Sequence, residues 1–448
     1  MESQDFDASE VFFIKGSLKR KFTLRARTKV LLLLVAGISV REIFAPFTGH
    51  PYDFELWVRL GYYVSKGLDP YVQRPPVPNL SFPVSDNPTW PGYPPLWPLF
   101  LALIYKLYAA TGIQNRFFYY FLIKQPMIAA DVIDAWLIFK LVRTHAGYDK
   151  GLKAFAFWLL CPYTILISSI WGMFDQIALL FVLLSIFVIS NPWKSSFLEA
   201  LAIALKLIPA IYLPLFGSVQ TSKTKIIIYA GTCVTLAAFF ALSAYLYFRS
   251  WNLSALEGVG SDVTNKFGNT LNYWEVLYNY WLIKNYSVTP AVEFILRIIG
   301  LIWIPIIFLA TYFCVRSIRR SKEKFEIILM LGVLFITVVF LLAKTVITEQ
   351  FVTYLVGFGL FDYYVVSSRV RRILFHGVWI STFVELLINN AFGLAFLEPI
   401  SAHYAAISDY FIAGPFNETR LLLMSILAVI FTAFSLGYLY SLYKEFKR

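Results

Sequence analysis

Long apolar runs, separated by short polar connections, are the dominant pattern along this chain. Runs of about 20 apolar residues can cross a bilayer as helices. If the run 195–217 is two half-helices that meet near Lys206 and Pro209, about twelve crossings result. The runs are 30–44, 117–142, 154–171, 175–189, 195–217, 226–248, 291–315, 327–343, 351–366, 373–388 and 421–443. The pattern predicts an all-α, polytopic integral membrane protein with one membrane domain, 1–448.

Clusters of lysine and arginine set the direction of these crossings. The N-terminal arm 1–29 carries seven such residues before the first run, and such clusters stay cytoplasmic. The large first loop, 45–117, and the later loop 249–290 are then extracytoplasmic, while both termini are cytoplasmic. Within the first loop, leucines at helical spacing in 96–110 predict a helix that lies at the membrane interface. The predicted location is the plasma membrane or the endoplasmic reticulum.

The acceptor pattern for N-glycosylation, Asn-x-Ser/Thr, agrees with this topology. It occurs four times, and every copy falls in a loop that the charge pattern places outside. The copies begin at Asn79, Asn252, Asn285 and Asn417. Two different signals therefore predict the same sides of the membrane for these loops.

Composition excludes the soluble classes of protein. Hydrophobic residues make up 58% of the 448, charged residues only 15%, and the mean hydropathy is +0.65. The net charge of +12 lies in short clusters between apolar runs, so it faces anionic lipid headgroups rather than nucleic acid. The three cysteines form no disulfide framework, and the four histidines show no metal-ligand spacing. Membrane lipids are predicted partners and nucleic acid is not.

Two carboxylates lie two residues apart, Asp53 and Glu55, shortly after the first apolar run. Their neighbours are mostly aromatic and apolar, which places the acids near the lipid interface. Glu55 is four residues before Arg59, so a helical ion pair is expected to neutralise part of its charge. Asp53 is then the freer carboxylate and the candidate catalytic base. The alternative is that both acids are ordinary solvated loop charges.

Lys206 lies in the middle of the run 195–217, and an ionisable side chain at that depth marks a functional site. If the run is broken at Pro209, the lysine lies near the outer end of two half-helices, where it can hold a lipid phosphate. The alternative is a lysine that snorkels to the interface. Lys344 ends a later run shortly before Gln350, and this cation and amide also suit a phosphate pocket. Snorkelling is again the alternative for Lys344.

Aspartates in the apolar runs have competing interpretations. Asp175 starts a helix, so it is either an N-terminal cap or a site residue. Asp131 and Asp134 lie on one face of a run, with Lys124 on the same run. Mutual neutralisation of these three side chains within the bundle is the predicted role.

Several short motifs, taken in order, resemble the GT-C superfamily of polytopic, polyprenyl-phosphate-sugar-dependent glycosyltransferases. The acids in 52–55, followed by Gly-Tyr-Pro-Pro-Leu at 92–96, are similar to motifs of the dolichyl-phosphate-glucose glucosyltransferases of N-glycan assembly. Trp-Gly-Met-Phe-Asp at 171–175 resembles a Trp-Gly-x-x-Asp found in prokaryotic members. The order of the motifs and their predicted sides of the membrane carry the resemblance.

Three further segments are similar to the first mannosyltransferase of glycosylphosphatidylinositol assembly. They are Gly-Leu-Asp-Pro-Tyr at 67–71, the lysine-proline-tyrosine segment 204–212, and 344–355. Glu55 departs from the Asp-x-Asp of that enzyme. The glucosyltransferases carry a His-Glu-Lys motif where this chain has Thr-Glu-Gln at 348–350. The resemblance slightly favours mannose over glucose.

The resemblance implies an inverting transfer of a hexose from a polyprenyl (dolichyl) phosphate donor to a lipid-linked or glycan acceptor. The reaction would take place on the extracytoplasmic or lumenal face. Asp53 would accept the proton of the acceptor hydroxyl, and Glu55 would orient that base or the acceptor. The residues that would bind the donor and its phosphate are Lys206, Lys344, Gln350 and Tyr93. Those that would support the site are Asp175, Asp131 and Arg59. A divalent cation (Mg or Mn) on the two acids and a small membrane subunit are left open.

Two functions from other classes compete with the transferase. The chain could be a non-catalytic membrane subunit of a lipid-glycan or lipid-anchor complex, and Asp53 would then tolerate replacement by asparagine. It could also be a lipid or sugar transporter, because a broken helix with a buried lysine suits substrate binding in a carrier. The large outer loop that holds the acids favours the transferase.

Overall fold

The computed structural model describes residues 24–69, 71, 92–220, 222–248, 270–284, 289–320 and 324–447. Within these ranges the chain is all-helical and no strand occurs, which confirms the predicted all-α class. The N-terminal arm up to residue 23 lies outside the described residues. So do three of the four Asn-x-Ser/Thr patterns, those that begin at Asn79, Asn252 and Asn285.

Short helices alternate with long ones in the first half of the chain. Asparagine side chains begin two of them: Asn115 accepts from the Phe118 N–H, and Asn191 accepts from the Lys194 N–H. The helices are α1 (Leu24–Phe44), α2 (Asp53–Ser65), α3 (Leu96–Ala110), α4 (Arg116–Ala146), α5 (Tyr148–Leu160), α6 (Pro162–Ile165), α7 (Asp175–Phe187), α8 (Pro192–Leu205) and α9 (Leu213–Ser218). A π-helical turn, Leu166–Trp171, extends α6, and a 3₁₀ turn, Ile208–Tyr212, precedes α9.

Longer helices dominate the second half. They are α10 (Lys223–Phe248), α11 (Trp274–Lys284), α12 (Pro290–Ile299), α13 (Trp303–Arg320), α14 (Phe325–Ala343), α15 (Val352–Val365), α16 (Arg369–Asn389), α17 (Ala402–Ala413) and α18 (Asn417–Phe446). The 3₁₀ turn Glu349–Phe351 precedes α15, and the 3₁₀ turn Ala391–Leu397 follows α16. The helices share one continuous hydrophobic core, in which α4 packs on α5, α7 on α8, and α16 on α18.

Among the described residues, three helices are long and apolar enough to cross a membrane: Lys223–Tyr247, Phe325–Ala343 and Asn417–Phe446. The number rises to five if two bent pairs each count as one span. One pair joins α5 to the 162–171 segment with a bend of 44°, and the other joins α16 to 391–397 with a bend of 66°. These helices are compatible with a membrane protein. The twelve crossings stay a prediction.

The run 195–217 is broken near Lys206 and Pro209, as predicted. Helix α8 ends at Leu205, and Lys206 has an extended backbone (φ −149°, ψ 136°) before the chain turns into the 3₁₀ segment. Pro209 lies within that segment, where its missing N–H removes no α-helical hydrogen bond. The side chain of Lys206 therefore projects from the end of a helix.

The run 291–315 differs from the single crossing that the sequence predicts. It consists of two helices, α12 and α13, separated by a turn at 300–302. Gly300 weakens a helix at this point, and Pro305 favours the first turn of a new one. Helix α3 has the predicted bounds, and its Leu103 and Leu107 are exposed, as a helix at the membrane interface requires. The predicted loops also contain α2, α11 and α17.

Candidate functional site

The candidate site begins with the segment that joins α1 to α2. The first N–H groups of a helix need acceptors from outside it. The Nδ1 atom of His50 accepts from the N–H of Tyr52 at 3.3 Å and from that of Asp53 at 3.2 Å. Burial lowers the pKa of His50, so its ring is neutral near pH 7, with the proton on Nε2. A neutral histidine thus begins α2 without neutralising the adjacent carboxylate.

Asp53, the first residue of α2, is held by a neutral donor. Its Oδ2 accepts from the indole N–H of Trp171 at 3.0 Å and lies 3.3 Å from His50 Nδ1. The Asp53 side chain is 26% exposed and forms no ion pair with a lysine or arginine among the described residues. A carboxylate that is oriented, reachable and not neutralised by a cation suits a general base.

Glu55 lies on the opposite side of α2 from Asp53. Helical residues two apart differ by about 200° around the axis, so their side chains do not face each other. The predicted helical pair is present: Glu55 Oε2 lies 4.0 Å from an Arg59 guanidinium nitrogen. Among the described residues, no group of three or more His, Cys, Asp or Glu side chains is placed to hold a metal ion. A divalent cation on the two acids stays a hypothesis, and no step below is routed through it.

A glycine turn fixes α2 against the start of α7. Gly172 has φ +88°, in the left-handed region, and its carbonyl accepts from the indole N–H of Trp57 at 3.0 Å. The ring of Phe54 occupies the space that a Cβ on Gly172 would need. Because Trp171 binds Asp53, this turn sets the position of the carboxylate.

Gly172→Ala is expected to destabilise the fold by more than the roughly 1 kcal/mol typical of a left-handed backbone alone, because the added methyl group meets Phe54. Gly67→Ala is the matched control, since Gly67 has φ +73° with no atom near its missing Cβ. Thermal unfolding in detergent measures both. Equal losses of stability would contradict the close contact of Phe54 with Gly172.

Lys206 and Asp175 form a buried ion pair beside this turn. Both carboxylate oxygens of Asp175 accept from Lys206 Nζ, at 2.8 and 2.7 Å. The ammonium group also lies 5.7 Å from the ring centroid of Tyr93, 5.4 Å from that of Phe174 and 5.0 Å from that of Phe351. Asp175 is the first residue of α7 and both of its carboxylate oxygens bind Lys206, so it combines the position at a helix N-terminus with a place in the ion pair.

An aromatic layer joins Lys206 to α2. The ring of Tyr93 packs on Trp57 at 5.0 Å and on Phe174 at 5.3 Å, and Trp97 stacks on Phe174 at 4.1 Å between centroids. The hydroxyl of Tyr71 donates to the Tyr93 carbonyl at 2.8 Å. Four segments that are distant in sequence therefore meet: the acid motif, the Tyr-Pro-Pro-Leu stretch, the Trp-Gly-Met-Phe-Asp stretch and the lysine-proline segment.

Gln350 and Lys344 lie on the connection from α14 to α15. Gln350 directly precedes Phe351, whose ring packs on Lys206, and the amide oxygen of Gln350 is buried without a hydrogen-bond partner in the part of the chain described. Lys344 is buried at the other end of the connection, where its carbonyl accepts from the Asn272 amide at 2.7 Å. The structure thus brings Gln350 close to Lys206 and anchors the backbone of Lys344 to residue 272.

The structure corrects the predicted mutual neutralisation of Asp131, Asp134 and Lys124. Arg41, near the end of α1, binds Asp131 at 2.8 Å between fully buried side chains. Lys124 donates instead to backbone carbonyls, including that of Thr48 at 2.6 Å. The cause is tertiary, since α1 supplies a cation that the pattern within α4 could not reveal. Asp131 therefore helps to anchor α1 rather than joining Asp53.

A cleft opens on the Glu55 side of α2. Its lining includes His50, Phe54, Glu55, Arg116, Tyr120 and Glu398. Sequence reasoning missed His50, Arg116 and Glu398. The position of His50, three residues before Asp53, is a signal that could have found it. Nothing local marks Glu398, which reaches the cleft from the far end of the chain.

Asp53 is linked both to the cleft and to the ion pair. It contacts His50, which lines the cleft, and it interacts electrostatically with Asp175, the partner of Lys206. The arrangement can remove a proton at Asp53 and stabilise an anion at Lys206. Searches for similar proteins matched the chain to no family model and to no curated protein.

Proposed function

We propose that the chain is a membrane glycosyltransferase of GT-C type, which moves a hexose from a polyprenyl phosphate donor to a lipid-linked or glycan acceptor. One observation carries the proposal: Asp53, without a lysine or arginine partner among the described residues, interacts electrostatically with Asp175, which pairs with a buried lysine surrounded by aromatic rings. A base and an anion-binding cation are the two groups that such a transfer needs. The resemblance of the motifs to GT-C enzymes supports it.

The site is proposed to face the extracytoplasmic or lumenal side of a bundle with about twelve crossings and two cytoplasmic termini. The three long apolar helices are compatible with a membrane bundle, and the clusters of lysine and arginine along the sequence support the direction of its crossings. The donor tail would then lie in the bilayer, with its phosphate at the level of Lys206. The N-terminus of α2, which carries Asp53, would meet the acceptor at the membrane surface.

In the proposed reaction, Asp53 takes the proton of an acceptor hydroxyl as that oxygen attacks C1 of the donor sugar. The new C1–O bond forms while the bond from C1 to the phosphate oxygen breaks, so the anomeric configuration inverts. The electron pair leaves with the polyprenyl phosphate, and Lys206 stabilises the added negative charge. To bind there, the donor phosphate replaces at least one of the two hydrogen bonds that Lys206 donates to Asp175.

Other residues are proposed to shape the two binding regions. Tyr93, which packs over Lys206, would contact the donor sugar, and Gln350 would bind one of its hydroxyls through the unpartnered amide oxygen. Lys344 would add positive charge near the phosphate. Glu55, held by Arg59 and facing the cleft, would orient the acceptor. Mannose is the sugar favoured by the motif resemblance.

The test is transfer of radiolabelled sugar by the purified protein in nanodiscs. Polyprenyl-phosphate-mannose and polyprenyl-phosphate-glucose are offered separately with a membrane-lipid extract as acceptor. We expect transfer from one donor, with inversion at C1 established from the anomeric configuration of the product by NMR. A folded protein that transfers neither sugar, with acceptors from several membrane sources, would contradict the proposal.

A lipid or sugar carrier is the second candidate, because α8 breaks at the buried Lys206 as the helices of many carriers break at their substrate sites. Movement of the same labelled donors across proteoliposome membranes distinguishes the two. Donor movement without formation of a product would favour the carrier, and formation of a product would favour the transferase.

A further inference from the structure

The segment that brings Glu398 to the cleft beside Glu55 begins with an unusually constrained turn. After α16, three consecutive residues have left-handed backbones: Ala391 (φ 50°), Phe392 (φ 58°) and Gly393 (φ 89°). Two of the three are not glycine, and such conformations persist only where surrounding contacts hold them. The turn leads directly to Glu398, so its conformation sets where this side chain lies.

Contacts with the catalytic side hold this turn in place. The carbonyl of Phe396 accepts from the Gly49 N–H at 2.9 Å. Its ring lies 5.9 Å from that of His50 and 6.0 Å from that of Trp171, the donor to Asp53. The backbone that carries Glu398 is therefore anchored to the same segments that position the candidate base.

Glu398 and Glu55 line one cleft from two different elements. Burial, together with the charges of Glu55 and Asp409, raises the pKa of Glu398 to about 7. Arg116 lines the same cleft and donates to the Ile400 carbonyl at 3.5 Å. Near pH 7 the carboxyl group of Glu398 is protonated about half of the time, so it can donate a hydrogen bond as well as accept one. Glu55, across the cleft, offers a second carboxyl group to the same ligand.

The remaining lining suits a sugar rather than an ion or a lipid tail. Phe54 and Tyr120 supply aromatic surface, with ring centroids 4.8 Å apart, and His50, neutral near pH 7, adds a polar group. Sugars present apolar C–H faces and adjacent hydroxyls, which match aromatic rings and carboxylates respectively.

We propose that Glu398 and Glu55 form a binding pair for adjacent hydroxyls of the acceptor sugar, on the side of α2 away from Lys206. This inference rests on the proposed transferase function and adds the acceptor site to it. Glu398 is a binding residue, because it would contact the acceptor without taking part in proton transfer. Asp53, which touches His50 at the edge of the cleft, would reach the attacking hydroxyl from there.

Glu398→Gln is the first variant, since it keeps the shape of the side chain and removes its charge. Loss of a hydrogen bond to a charged group is expected to raise the KM for the acceptor about 10- to 100-fold. The donor KM should change less than about threefold, because Lys206 and its rings are untouched. Asp409→Asn is the matched control, because Asp409 is exposed and does not line the cleft. It should leave both constants within about threefold.

The acceptor KM of the wild type should also vary with pH around 7, where Glu398 titrates. Below that pH the carboxyl donates as well as accepts, and above it only accepts. The variation should be absent in Glu398→Gln. In Asp409→Asn it should persist but move to lower pH, because the charge of Asp409 helps to raise the pKa of Glu398. Glu55 and Arg116, which line the cleft with Glu398, are unchanged in both variants, so they cannot produce this difference.

A second measurement needs no turnover. Binding of methyl α-mannoside and methyl α-glucoside to the protein in nanodiscs is followed by saturation-transfer NMR. Binding by the wild type and by Asp409→Asn, lost in Glu398→Gln, supports the acceptor site. Equal signals in all three proteins, or an unchanged acceptor KM in an active Glu398→Gln, overturn it. If the wild type binds these glycosides through Glu398 but transfers no sugar, the transferase proposal fails while the sugar-binding cleft stands.

Discussion

Asp53→Asn lowers the rate of sugar transfer by about 10²- to 10⁴-fold, the usual contribution of a general base. Asparagine keeps the shape of the side chain and can still accept from the indole N–H of Trp171. The variant therefore keeps its position and loses only its basicity. Single-turnover transfer with saturating donor measures the chemical step directly.

The matched control is Asp149→Asn. Asp149 is an exposed acid in the first turn of α5, as Asp53 is in the first turn of α2, so both changes remove a favourable charge at a helix N-terminus. Asp149 has no place in the proposed reaction, and its variant should transfer at the wild-type rate. Full activity in Asp53→Asn would remove this residue as the base and leave the transferase standing. If the wild type and the variant were both folded and inert, the non-catalytic subunit would be favoured.

Lys206→Met destabilises the protein by about 3–5 kcal/mol, because it leaves the fully buried carboxylate of Asp175 without its cation. Replacing both members of the pair, as in Asp175→Leu with Lys206→Met, removes the uncompensated charge. The double variant should therefore recover most of the lost stability. Thermal unfolding in detergent at one pH measures all three proteins, and Lys194→Met, an exposed lysine on α8, is the control.

Stability and transfer should separate in the double variant. It folds without the ion pair but offers no cation to the leaving phosphate, so transfer should stay undetectable even where its thermal unfolding matches the wild type. Transfer at the wild-type rate would show that another cation receives the phosphate, with Lys344 the first alternative. If the double variant were as unstable as Lys206→Met, the unpaired carboxylate of Asp175 would not be the cause of the lost stability.

The sequence by itself determined the features that depend on neighbours along the chain. Apolar runs predicted the all-helical class because a helix satisfies its own backbone hydrogen bonds. Leucines at helical spacing gave the bounds of α3, and the four-residue spacing predicted the pair of Glu55 and Arg59. The break near Lys206 followed from a lysine and a proline in one apolar run. Each of these is a local energetic preference.

Only the tertiary structure decided which distant groups meet. Lys206 binds Asp175, 31 residues away, and Arg41 binds Asp131, 90 residues away. Neither pairing could be predicted, because several acids and cations in the apolar runs were equally available partners. Packing selects among them, since a buried charge is stable only beside the partner that the helices bring to it. For the same reason Glu398 reaches the cleft of Glu55 only through the fold.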